Sequence, residues 1–187
     1  MQQFLSGFES AFSYLISLSL FDHLLILLLF GIVFQLKEWK NLFSLFLALG
    51  IGSLVGLLLA CFKITHFSYS TIRLATAISI LAVGVHHMIS NNLSANAIRY
   101  NFFALIGLVV GTNISLHYLK AFGSNLKFIH LSGYSLGVLA AFLLIILVGL
   151  LISAIIIAVF KTDRKSFKLS ISGIGIGIAL VLIYLRY

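Results

Sequence analysis

The sequence predicts an all-α membrane protein, a polytopic helix bundle of about six transmembrane helices with an N-terminal amphipathic or bent helix in front of them. Hydrophobic residues make up 61% of the 187 residues and charged residues only 9%, which is more apolar material than one soluble core of this length can bury. The apolar residues also fall in runs of the length that crosses a bilayer, roughly 20 residues. We therefore expect a single integral membrane domain over residues 1–187, in contact with the lipid bilayer.

Six apolar segments have the length of membrane spans, and one amphipathic segment precedes them. The spans are predicted at 20–36, 41–62, 71–89, 101–119, 132–160 and 168–185. The preceding segment, FLSGFESAFSYLISL, places its large apolar side chains on one helical stripe, namely Phe4, Phe8, Phe12 and Leu15 or Ile16. This stripe predicts an interfacial helix, and one long bent helix over residues 8–36 is the alternative.

The basic residues indicate orientation rather than nucleic-acid binding. The 12 Lys and Arg are scattered singly between apolar runs and form no stripe with interleaved aromatic residues, so we expect no nucleic-acid partner. Their densest group is KTDRKSFK at residues 161–168. Because basic loops stay in the cytoplasm, we expect this loop inside and both termini outside, in the cell inner membrane.

Glycines four residues apart recur along the chain. In lipid such spacing lets helix backbones approach closely. We therefore expect tight packing between helices of the bundle, with a glycine-lined pore or a homo-oligomer contact as the alternative. The pairs are Gly52 and Gly56, Gly107 and Gly111, Gly133 and Gly137, and Gly173 and Gly177.

Asp22 and His23 stand side by side at the start of the first apolar run. A carboxylate and an imidazole in such a place need partners, because water is scarce there. Arg73 lies inside an apolar run near the same predicted membrane face, so we expect a structural ion pair between Asp22 and Arg73. The alternatives are contact with solvent or a metal site whose ligands are His23, Asp22 and His66, the last on a predicted outer connection.

No constellation of catalytic residues is visible in the sequence. The 4 acids are Glu9, Asp22, Glu38 and Asp163, and no serine stands with a base and an acid on adjacent helical turns. We therefore expect no enzyme activity. The single cysteine lies inside an apolar run, where we expect it to act as a small hydrophobic residue.

Four stretches of the chain, in this order, resemble the HupE/UreJ family of small membrane proteins. They are FDHLLILLL, EWKNLFSLFLALGIGS, IRLATAISI and GYSLGVLAAFLL, within residues 18–150. The family is associated with hydrogenase and urease gene clusters, and its members are regarded as nickel or cobalt permeases. The resemblance implies a permease for a divalent metal or another small solute.

The chain departs from the family pattern at the positions of most metal ligands. Family members generally have His or Glu where this chain has Gly50, Arg73, Gly107 or a neighbour, and Leu139. First-row divalent metals need several nitrogen and oxygen donors, so we expect no stoichiometric nickel or cobalt and no other cofactor. Two functions stay open: transport, or a non-transporting subunit or scaffold that packs on lipid, on partner membrane subunits or on a second copy of the chain.

Overall fold

The computed structural model describes residues 1–17, 21–34, 36–65, 67–90, 96–123 and 127–187. These residues form seven α-helices and a short 3-10 helix over Leu36–Glu38, with no strand among them. The helices are α1 (Gln2–Ile16), α2 (Phe21–Val33), α3 (Trp39–Cys61), α4 (Tyr69–Ile89), α5 (Ala97–Phe122), α6 (Phe128–Phe160) and α7 (Arg164–Arg186). The predicted all-α fold class is confirmed.

Five helices, α3 to α7, are each long and apolar enough to cross a membrane. The pair α1 and α2 brings the number to six if it counts as one span, and its two helices differ in direction by 80°. With 13 residues, α2 alone is about 20 Å long, which is less than the hydrocarbon core of about 30 Å. The structure therefore has six candidate spans, as predicted, when α1 and α2 are counted as one bent span, and five when they are not.

The closest backbone approach joins α3 to α5, which run in the same direction. A Cβ atom built on Gly52 would lie 2.0 Å from the carbonyl oxygen of Ala104, and one on Gly111 would lie 1.9 Å from that of Ser53. Gly56 and Gly107 face the other helix equally closely. Only glycine fits at such distances, so the predicted tight packing is confirmed for these two glycine pairs.

Helix α6 has 33 residues, and α1 packs along its first half while α2 packs along its second half. A Cβ atom on Gly133 would lie 2.1 Å from the carbonyl oxygen of Phe4, and one on Gly31 would lie 2.3 Å from that of Ile146. The buried face of α1 consists of Gly7, Ala11 and Leu15. The predicted phenylalanine stripe is thus only partly buried, because small residues allow the closer contact with α6.

The last glycine pair does not follow this pattern. Helix α7 packs antiparallel on α4, with Gly84 of α4 beside Ser172 and Ile176. Gly173 and Gly177 lie on the opposite side of α7, and an added Cβ at either position would meet none of the described residues within 4 Å. The expectation of tight packing within the bundle is therefore wrong for this pair.

The helix ends meet in two groups, which we name after one arginine each. The Arg186 end is where the start of α2, the first turn of α4 and the last turn of α7 come together, at Asp22, Arg73 and Arg186. The Arg164 end contains the start of α3, the end of α4 and the start of α7, at Glu38, Ser90, Arg164 and Lys168. The bundle interior between these two ends holds the candidate site.

Candidate functional site

Asp22 is paired with an arginine, although not the one that the sequence suggested. Its Oδ2 atom lies 2.6 Å from Nη2 of Arg186, and the two side chains are 16% and 9% exposed respectively. Nη1 of Arg186 donates to the backbone carbonyl of Arg73 at 2.9 Å. The guanidinium of Arg73 lies instead over the ring of Tyr69, with 5.5 Å to the ring centroid.

The predicted Asp22–Arg73 ion pair is therefore replaced by an Asp22–Arg186 ion pair. Antiparallel packing of α4 and α7 brings both arginines to the same end of the bundle. Arg73 stands four residues after Tyr69, within reach of that ring on the same helical face. Its backbone, and not its guanidinium, contributes to the site.

His23 lies one position further along α2 and is almost completely enclosed, with 1% of its surface exposed. The backbone of Val110 on α5 lies beside its ring. This backbone offers the imidazole a hydrogen bond, although the contact falls outside good hydrogen-bond geometry for either ring nitrogen. Because burying an unpaired polar group costs free energy, such an imidazole calls for a functional explanation.

The predicted metal ligands are not brought together by the described residues. Those residues contain no group of three or more His, Cys, Asp or Glu side chains that could hold a metal ion. Asp22 is engaged by Arg186, and His66 lies outside the described residues. The ligand set of His23, Asp22 and His66 therefore stays a prediction.

Polar side chains continue into the interior on α4 and α5. Nδ2 of Asn113 donates to Oγ1 of Thr76 at 3.0 Å, which joins the two helices by a buried hydrogen bond. Thr76 and Ser79 also donate to carbonyls of their own helix, those of Ile72 and Ala75, both at 2.9 Å. Three polar side chains are thus satisfied in the middle of the bundle.

A second enclosed histidine, His87, lies on the same face of α4 toward the Arg164 end. It is 1% exposed, and both ring nitrogens lack a hydrogen-bond partner among the described residues. Its ring lies 6.1 Å from that of Phe103, which in turn lies 4.7 Å from that of Phe30. Ser172 of α7 is also fully buried, and its hydroxyl has no partner in the described ranges.

Charged groups close the Arg164 end. The ammonium group of Lys168 donates to the backbone carbonyl of Ser90, at the C-terminus of α4. This contact places a positive charge where the helix dipole favours one. Glu38 and Arg164 form an ion pair that ties the start of α3 to the start of α7.

The described polar residues follow one stripe of α4, with partners on α2, α5 and α7. The sequence analysis did not identify Thr76, Ser79 and His87 as a group, although their spacing places them on one face of a helix. The partner residues Asn113 and Arg186 carry no local signal, because their positions depend on how the helices pair. No family model, curated protein or solved structure matches this chain.

Proposed function

We propose that the protein is a small membrane permease, similar in organisation to the HupE/UreJ family that its sequence resembles, and that it carries a small solute through the bundle interior. The observation that carries the proposal is the pair of enclosed histidines. His23 and His87 are each 1% exposed. Within the described part of the chain, the imidazole of His87 has no hydrogen-bond partner, and that of His23 has a poorly aligned contact with the backbone of Val110. Polar groups inside membrane spans are costly, and they usually mark substrate, ion or proton paths.

The proposed path runs along α4 between the two histidines. It begins at His23, passes the Asn113–Thr76 hydrogen bond and Ser79, and ends at His87. Thr76 and His87 are about 16 Å apart along the helix axis, at 1.5 Å per residue. Hydroxyl and amide groups at Asn113, Thr76 and Ser79 can replace the hydration of a small solute in the first part of the path. The buried side chains of Ile80 and Val83 separate them from the imidazole of His87.

Two phenylalanines separate the histidines and would close the path. Phe30 stands two turns after His23 on α2, and its ring meets Phe103 edge-on at 4.7 Å. Phe103 also packs on His87. Rotation of these two rings would connect the ends of the path, and their contact would prevent leakage at rest, as hydrophobic constrictions do in channels.

The proposal concerns transport and includes neither catalysis nor a resident cofactor. Nickel and cobalt enter as cargo, on the strength of the family resemblance, and a proton is the other cargo that imidazoles carry readily. The basic loop at 161–168 supports an orientation in which the Arg164 end faces the cytoplasm. The membrane in this proposal is the inner membrane of the cell.

Flux into proteoliposomes tests the proposal. Vesicles loaded with a pH dye report proton flux, and uptake of Ni²⁺ or Co²⁺ is measured by elemental analysis of washed vesicles. We expect flux above that of protein-free vesicles, and a reduction of at least tenfold in His23→Asn and in His87→Asn. His86→Asn is the adjacent comparison: its ring stacks on Phe102 at 4.7 Å and also meets Phe103 edge-on at 5.7 Å, so we expect a smaller reduction than in His87→Asn. The control outside the path is His130→Asn, because the ring of His130 packs on Phe122 at 5.0 Å, at the start of α6.

The second candidate is a non-transporting membrane subunit, and the free face of α7 favours it. Gly173 and Gly177 leave space where a helix of another protein or of a second copy could pack closely. Wild-type flux equal to that of protein-free vesicles for protons, Ni²⁺ and Co²⁺ would reject the permease and leave this candidate. Equal flux in His86→Asn, His87→Asn and wild type would reject the path itself.

A further inference from the structure

A groove opens on the lipid-facing side of the bundle between the end of α2 and the second half of α6. It encloses about 300 Å³. Small side chains on α6 leave the space, while Phe34 and Leu150, both nearly fully buried, form its floor. The described residues that line it are Phe34, Lys37, Leu150, Ser153, Ala154, Ile157 and Ala158.

One cation stands in the otherwise mostly apolar lining. Lys37 is exposed and has no ion-pair partner among the described residues. The neighbouring carboxylate, that of Glu38, forms an ion pair with Arg164. The groove therefore combines an apolar interior with a single positive charge.

The residues around Lys37 place it at the level of lipid headgroups. Trp39 is 58% exposed and Phe160 is 73% exposed, both at the Arg164 end of the bundle. Aromatic side chains concentrate at membrane–water interfaces, and basic residues lie beside them. Lys40, whose ammonium lies 5.9 Å from the Trp39 ring centroid, and Lys161, which ends α6, complete this basic border.

We propose that this groove is a binding site for one anionic phospholipid, with an acyl chain along the α6 side and the phosphate group at Lys37. Basic pockets between membrane helices bind anionic headgroups by this combination of charge and apolar surface. The groove adjoins the proposed transport path, because the ring of Phe34 in its floor lies 5.4 Å from that of Phe30, but none of the path residues lines it.

Lipid retention in a defined bilayer tests the site. The full chain is reconstituted in nanodiscs of palmitoyl-oleoyl phosphatidylglycerol and phosphatidylcholine at equal amounts, released, and analysed by native mass spectrometry. We expect wild type to retain one phosphatidylglycerol in preference to phosphatidylcholine. Lys37→Gln should lower that preference about fivefold, as expected for one basic residue at an anionic surface.

Two further variants serve as the matched control and as a test of the groove volume. Lys40→Gln removes a neighbouring charge outside the groove lining and should leave the preference within twofold of wild type. Ala154→Leu fills the groove and should reduce retention of both lipids. Equal retention of the two lipids by wild type, or equal losses in Lys37→Gln and Lys40→Gln, would overturn the proposal.

Photocrosslinking of the wild-type protein gives a readout that does not depend on folding of a variant. Phosphatidylglycerol with a diazirine in its acyl chain should label α6 around Ala154 and Ala158, together with Phe34. Labelling spread evenly over the exposed face of α7 would show annular lipid and reject the site. Disulfide formation between two chains that carry Ala154→Cys would reject it in favour of a second copy.

Discussion

Asp22 and Arg186 stand 164 positions apart in the chain and form an ion pair with 2.6 Å between Oδ2 and Nη2. The pair joins the first turn of α2 to the last turn of α7, and through the carbonyl of Arg73 it also engages α4. Three helices are thus fixed at one end of the bundle by one guanidinium. The stability of this end depends on both charges being present.

Removing one charge should cost more than removing both. Asp22→Asn leaves a largely buried guanidinium uncompensated, so we expect a loss of about 3 kcal/mol in the free energy of unfolding. Arg186→Gln should show a similar loss, and the double variant should lose less than the sum. Denaturant titration in bicelles measures these values, and Arg73→Gln is the control with the smaller effect. Additive losses would show that the two residues are not coupled.

The glycines of the bundle should differ sharply in their tolerance of a methyl group. Gly111→Ala places Cβ 1.9 Å from the carbonyl of Ser53, which forces α3 and α5 apart, so we expect a loss of about 2 kcal/mol. Gly177→Ala meets no described neighbour within 4 Å and should be neutral or stabilising by up to about 1 kcal/mol, because alanine favours helix. Thermal unfolding in detergent gives both values. Similar losses in the two variants would mean that the free face of α7 is covered in the folded protein.

The enclosed histidine on α4 should oppose stability. His87→Phe replaces an unpartnered imidazole by a ring that can pack on Phe103, so we expect a gain of about 1 kcal/mol in stability. The same variant should abolish flux in proteoliposomes, since residues kept at a cost to stability usually serve function. A loss of stability in His87→Phe would indicate a partner of the imidazole, such as a bound water.

Nickel and cobalt should not copurify in stoichiometric amount. The described residues hold no cluster of three metal-ligating side chains, and the carboxylate of Asp22 is engaged by Arg186. Elemental analysis of protein purified without a histidine tag measures the content directly. One nickel ion per chain that is lost in His23→Ala would establish a site formed by His23 with residues outside the described ranges.

Orientation in the membrane can be read from two engineered cysteines in a Cys61→Ser background. Ser166→Cys lies in the first turn of α7 at the Arg164 end, and Lys127→Cys lies before α6 at the opposite end. We expect a membrane-impermeant maleimide to label Lys127→Cys in intact cells, and Ser166→Cys only after permeabilisation. The reverse pattern would place the 161–168 loop outside.

Apolar length alone predicted the fold, because a chain in lipid must satisfy its backbone hydrogen bonds within helices. The predicted segment 71–89 corresponds to α4 at Tyr69–Ile89, and the segment 132–160 corresponds to α6 at Phe128–Phe160. Glycine spacing also predicted close backbone packing, which the structure shows between α3 and α5. These features depend on the local order of residues, which can be read directly from a single sequence.

Features that depend on which helices pair were harder to predict from the sequence. Arg73 was the favoured partner of Asp22 because it lies deep in an apolar run, yet Arg186 reaches the carboxylate since α7 packs antiparallel on α4. The protein-facing side of α1 was likewise not predicted from its apolar stripe. Large apolar residues face lipid as readily as protein, so the small residues Gly7 and Ala11 mark the protein contact instead.

The separation of Asp22 from Arg186 has a consequence for synthesis of the protein. The ribosome makes α2 long before α7, so the carboxylate of Asp22 reaches the membrane without its cation. Until α7 is inserted, that carboxyl group must remain at the aqueous surface or take up a proton. Arrival of Arg186 removes this constraint, and the seating of α2 in the bundle thereby becomes a late event in biogenesis.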